Sequence, residues 1–173
     1  MKRILACISM LLSAAPALAA MTLTSTDIQP GAAIPAAQIY PRCGGQNISP
    51  QLTWSDVPAG TKSFALTMID VSVKPSQWSH WVVVDLPPQI TSLARGTKTF
   101  PGAAKAIASN FGDANYDGPC PPDGAGVHEY RLTIWALRAP TTVVAADTAA
   151  DELTSQLNRL ALAHAELTGF VKR

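Results

Sequence analysis

The run Trp81-Val82-Val83-Val84 constrains the fold of this chain more than any other stretch, because it is apolar at consecutive positions. A strand sends successive side chains to opposite faces, so this run needs apolar cover on both sides. It belongs in the middle of a packed sheet. Two further strong strand signals accompany it, Ser63–Asp70 and Tyr130–Leu137, both rich in β-branched and aromatic residues. With 14 prolines and 11 glycines to supply turns, the pattern predicts an all-β (β-rich) fold with one C-terminal helix.

Weaker strands are expected at Met21–Ser25, Ala36–Tyr40, Gln51–Trp54 and Leu167–Val171. Thr148, with Asp151 three residues on, predicts a capped helix start, and Leu153, Leu157, Leu160 and Ala161 give an apolar stripe reaching about Ala165. Gly96 to Tyr116 has no strong period and should cross the surface. Gly118 to Gly126 is too rich in proline and glycine for helix or central strand.

The first 19 residues read as a signal peptide. Lys2 and Arg3 are its basic end, Ile4 to Ala15 its short apolar core, and Ala17-Leu18-Ala19 a small-x-small cleavage site. The stretch is short for a membrane span. The expected mature unit is residues 20–173, a single domain free in the periplasm or secreted, with no stable membrane insertion. Losing Lys2 and Arg3 takes the 13 basic residues to 11 against 12 acidic ones, a net of −1. That balance offers no basic footprint for nucleic acid. Cys43 and Cys120 remain. In an oxidising compartment they can pair, and otherwise they are two free thiols.

Candidate chemistry gathers at strand ends. Asp70 ends one strand in phase with Phe64, Leu66 and Met68, so its carboxylate should point inward near the sheet rim and need a partner, His80 or loop amides. His80 and His128 each stand before a strong strand. His164 reads as structural, near the helix C-terminus where the dipole favours it. Three functions compete for Asp70, His80 and His128: an anion pocket, a metal site of facial-triad residue type, and a hydrolase. The metal reading has no motif spacing behind it. The hydrolase lacks a G-x-S-x-G elbow, and Ser79 should face away from His80.

Several segments in register resemble one family. They are Cys43-Gly44-Gly45-Gln46-Asn47-Ile48-Ser49-Pro50-Gln51-Leu52-Thr53-Trp54, then Trp78-Ser79-His80-Trp81-Val82-Val83, then Tyr116-Asp117-Gly118-Pro119-Cys120-Pro121-Pro122, and His128-Glu129-Tyr130. The chain resembles the phosphatidylethanolamine-binding proteins, in their bacterial Raf-kinase-inhibitor-like branch, from about Met21 to the C-terminus. The resemblance implies a sandwich of antiparallel sheets with a few peripheral helices. It also implies a rim pocket for a small anion or phosphorylated headgroup, built from Asp70, Trp78, His80, Pro119, Cys120, Pro121, His128 and Tyr130. The role it implies is binding or regulation, through ligand or an unidentified protein partner, with no cofactor, metal or catalytic residue. The family usually continues from its aspartate as Asp-Pro-Asp-Ala-Pro. Asp70-Val71-Ser72-Val73-Lys74-Pro75 lacks the first proline and the second aspartate, so a looser rim is expected.

Overall fold

The computed structural model describes residues 20–145 and 148–173. The signal peptide read in residues 1–19 lies outside them. The strands are β1 (Thr22–Thr24), β2 (Ala32–Ala33), β3 (Leu52–Ser55), β4 (Ser63–Asp70), β5 (Trp78–Leu86), β6 (Ser92–Leu93), β7 (Lys105–Ala106), β8 (Val127–Leu137) and β9 (Ala161–Lys172), with helix α1 (Ala150–Leu160) between β8 and β9. They form a small sheet, β1-β3-β6, and a large one, β2-β9-β8-β4-β5-β7. Pairing is antiparallel except at the edge, where β2 runs parallel to β9.

The apolar run of β5 has cover on both faces, as its pattern requires. Trp81 and Val83 point into the layer between the sheets, with Phe64, Leu66, Met68, Leu132 and Ile134 of the large sheet and Leu23, Leu52, Trp54 and Leu93 of the small one. Val82 and Val84 point the other way, into a second cluster with Trp135, Leu137 and the α1 residues Leu153 and Leu157. A sheet buried on both sides is thus completed by one helix.

Three expectations change. Ala36–Tyr40 is not a strand: Pro35 and Pro41 bracket it, and two 3-10 turns, Ala36–Gln38 and Pro41–Cys43, take its place. The helix is not capped by Thr148, whose hydroxyl donates to the Ala145 carbonyl; Ala149 occupies the cap position without a capping side chain. The helix also stops at Leu160, and β9 begins at the next residue. Alternate burial of Ala165, Leu167 and Gly169, and pairing with β8 along its length, override any helical tendency of Ala161–Ala165. His164 is therefore a strand residue, its ring 5.0 Å from that of Trp135, and no helix dipole acts on it.

Candidate functional site

Register places the predicted pocket at one end of the inter-sheet layer. Asp70, the last residue of β4, is paired with Trp78 of β5 on one side and Tyr130 of β8 on the other. Between β4 and β5 the ladder slips: Met68 pairs with Trp81 and Ile69 with Ser79, which leaves His80 as the extra residue of a β-bulge. Bulges turn side chains out of the regular alternation. The His80 ring lies 5.1 Å from the Tyr130 ring, at 81°, and 5.0 Å from Phe111. Trp78, 39% exposed, closes the rim edge-to-face against Phe111 at 6.1 Å.

The hydrogen bonds bear out the loop-amide partner expected for Asp70 but not His80. Asp70 does not orient His80. Its Oδ2 accepts from His128 Nδ1 at 2.7 Å, and its Oδ1 accepts the Ser72 N–H at 2.9 Å. His80 Nδ1 lies 2.8 Å from the Asp117 carbonyl. A carbonyl oxygen only accepts, so Nδ1 carries the proton, and in the neutral ring Nε2 is a bare acceptor. Burial pulls the His80 pKa from 6.5 down to about 4; the backbone carbonyls of Asp117 and Gly118 and the Asp70 charge partly oppose this, and His128 adds to it. His80 is thus a neutral imidazole near pH 7 and not the protonated donor that an anion pocket first suggests. The Tyr130 hydroxyl is buried beside Asp70 and the Cys120 backbone, with no hydrogen-bond partner among the described residues. Burial and the Asp70 charge push its pKa up, so it is a neutral donor.

The remaining predicted residues form the wall beyond Tyr130. Cys120 is bonded to Cys43, with Cα atoms 5.5 Å apart and a sequence separation of 77. The Pro119 carbonyl accepts the Tyr40 N–H at 3.1 Å, and the Pro121 carbonyl accepts from Arg173 Nη1 at 3.3 Å. The loop after Asp70 is tied down without its proline. Val71 N–H donates to the Glu129 carbonyl at 3.0 Å, and Ser72 Oγ accepts the Glu129 N–H at 2.9 Å. Ser72 thus replaces a rigid ring by two bonds, one to Asp70 and one to β8. The Lys74–Pro75 peptide bond in this loop is cis.

Three functional contributors were missed. Phe111 lies in a stretch with no periodicity, so nothing in the sequence marked it. Asp117 acts through its backbone. Asn47 (φ 55°) clamps the segment that carries Asp117: its Nδ2 donates to the Tyr116 carbonyl at 3.1 Å and its Oδ1 accepts the Gly118 N–H at 2.7 Å. A Cβ at Gly118 would overlap the Gln38 carbonyl, so this close approach needs glycine. Both residues sit inside the segments quoted for the family resemblance, the one signal that could have found them.

Ser79 is held away from catalytic use. Its Oγ bonds Asn110 Oδ1 at 2.9 Å and accepts the Asn110 N–H at 3.0 Å. Among the described residues no three His, Cys, Asp or Glu side chains converge to hold a metal, and no helix is long and apolar enough to cross a membrane.

The two-sheet fold with Asp70, His80, His128 and Tyr130 gathered at one rim sets the architecture, and comparison with known proteins identifies the family. The family model for phosphatidylethanolamine-binding protein matches residues 24–172. The protein YbcL of Escherichia coli is 37% identical over 159 residues, covering 87% of this chain and 86% of YbcL. The crystal structure of YbcL, described as a new member of the mammalian PEBP family, superposes with a TM-score of 0.81 at 35% identity, covering 90% of this chain and 99% of that one. A Chlamydia trachomatis homologue described as a putative phosphatidylethanolamine-binding protein gives a TM-score of 0.74 at 33% identity, over 89% of this chain and 98% of that one. The chain belongs to the phosphatidylethanolamine-binding protein family.

Proposed function

We propose that the rim pocket binds a small phosphoryl anion and that the anion enters with a proton. The observation that carries this is the pairing of both histidines through Nδ1, His80 to the Asp117 carbonyl and His128 to the Asp70 carboxylate. With Nδ1 committed as a donor, Nε2 of the neutral His80 ring offers a lone pair, which repels a bare anion. A proton shared between the ligand oxygen and Nε2 removes the repulsion. It turns this contact into a charge-assisted hydrogen bond. The Tyr130 hydroxyl, buried and without a partner, is the ready neutral donor.

Binding, not catalysis, is the use this arrangement favours, because Ser79, the nearest hydroxyl in sequence, is committed to Asn110. The protein acts after export, as a ligand-gated binding or regulatory module. The basic-then-apolar start and the Ala17-Leu18-Ala19 site support export, and the Cys43–Cys120 bridge suits an oxidising compartment. The mass of the purified mature protein tests this: a chain beginning at Ala20 or Met21 supports it, and a retained Met1 contradicts it.

The pocket is tested by following the ring resonances of His80 and His128 by NMR as phosphate, then phosphoethanolamine, is added. Saturable movement of both rings, lost in Asp70→Ala, supports the reading. Rings that respond to neither anion overturn it.

A further inference from the structure

A cavity of about 530 Å³ opens beside the rim that carries His80, between the 40–49, 96–100 and 113–117 segments. Phe111 and Asp117 connect it to the rim. Phe111 packs on Tyr40, a wall of the cavity, at 5.6 Å, and also on His80 of the pocket at 5.0 Å. The Asp117 carbonyl holds the His80 ring, and the same residue lines the cavity.

Two neighbouring carboxylates, Asp113 and Asp117, line the cavity. Asp117 is only 4% exposed, and its Oδ2 is buried without a hydrogen-bond partner among the described residues. Buried polar atoms of this kind are rare and costly unless something fills their need. Asp113 lies beside it. Its own Oδ1 accepts the Asn115 N–H at 3.0 Å. Tyr40, Phe100 and Tyr116 contribute to the walls, and Lys98 is the one cation lining the cavity among the described residues, from an exposed position. Two carboxylates with aromatic faces around them make a site for a cation that also has apolar carbon.

We propose that this cavity is a second ligand site, which takes a small organic ammonium ion with Asp117 and Asp113 as its acceptors. The ligand class is an aliphatic amine. A metal ion does not suit, since among the described residues no third His, Cys, Asp or Glu joins the pair. Lys98, at the exposed edge of the lining, repels a bound ammonium ion, so it tunes the affinity.

The pH dependence follows from the groups that face Asp117. These are Asp113 on its own segment, Lys98 across the cavity, Asn47 beside it and the His80 ring at its carbonyl. Burial first, then Asp113, raise the Asp117 pKa from 3.8 to about 6, with the Asn47 amide opposing. Only the ionised carboxylate holds an ammonium, so binding strengthens about tenfold from pH 5 to pH 7.5.

The test is an NMR titration of the mature protein with putrescine, using 1,4-butanediol as the uncharged counterpart. Saturable shifts at the Asn47 and Asp117 amides with putrescine alone are expected. Asp117→Asn should weaken binding at least tenfold, and Lys98→Ala should strengthen it several-fold, a gain that a misfolded variant would not show. Equal response to the diol, no saturable response to putrescine, or unchanged affinity in both variants would overturn the proposal.

Discussion

The carboxylate of Asp70 is spent on His128, not on His80: Oδ2 accepts from His128 Nδ1 at 2.7 Å, and both side chains are nearly fully buried. His80, held by the Asp117 carbonyl, is the neutral imidazole at the other side of the rim. Asp70→Ala removes the acceptor that fixes the His128 tautomer. A charge-assisted bond of this kind is worth about 1.5–3 kcal/mol. Phosphate affinity should fall about tenfold or more, read by NMR titration. Unchanged phosphate affinity would remove Asp70 from the pocket.

His80 and Asp117 pull pH-dependent stability in opposite directions. The pKa of His80 falls from 6.5 to about 4 on folding, so below pH 6.5 the unfolded chain takes a proton that the folded one refuses, and stability falls as pH falls from 6.5 to 4. Asp117 rises from 3.8 to about 6, so the folded chain takes the proton first and stability rises as pH falls from 6 to 3.8. Each effect is worth about 3 kcal/mol when complete. The native protein should be nearly flat between pH 6 and 4.5. Asp117→Asn should expose the histidine and lose about 2 to 3 kcal/mol between pH 7 and pH 4.5, measured by urea unfolding. A variant that tracks the native protein would contradict the assignment.

Asn47 positions His80 without touching it. Its side chain bonds residues on both sides of Asp117, and Asp117 holds the His80 ring. Asn47→Ala breaks both bonds and places alanine at a positive φ that asparagine tolerates better. A loss of about 2 kcal/mol in stability is expected. The His80 ring resonances should shift while those of His164, on the outer face of β9, stay in place. If both stay in place, the clamp does not position the ring.

The Cys43–Cys120 bridge closes a loop of 77 residues and anchors the wall beside Tyr130. On the chain-entropy model it stabilises by about 4 kcal/mol. Cys43→Ser with Cys120→Ser should lower the urea midpoint accordingly and weaken phosphate binding, since Cys120 flanks the Tyr130 hydroxyl. A double variant as stable as the native protein would mean that the bridge contributes only geometry.

Sequence periodicity sufficed where one rule governed. Ser63–Asp70 is a strand at those bounds, and the two-faced burial of Trp81–Val84 follows from the pattern alone. It failed where tertiary pairing outweighed local preference. Ala161–Ala165 continues a helical stripe in sequence yet joins β9, because β8 offers it a full antiparallel partner. The motifs name residues that the structure gathers at one rim, but they do not name those residues' partners. Strand alternation puts Ser79 and His80 on opposite faces without showing that His80 sits in a bulge, and no local rule sends the Asp117 carbonyl across 37 residues to its ring. Backbone acceptors leave no mark in a sequence, and the proton state of His80 depends on one.

Proton linkage is the central claim, and calorimetry reads it directly. Phosphate would be titrated into the mature protein at pH 7.5 in two buffers of different ionisation enthalpy. The account predicts heats that differ between the buffers by an amount corresponding to uptake of close to one proton per phosphate bound. Equal heats in both buffers, with phosphate bound, would mean that the anion enters unaccompanied and that the histidines do not meet it through Nε2.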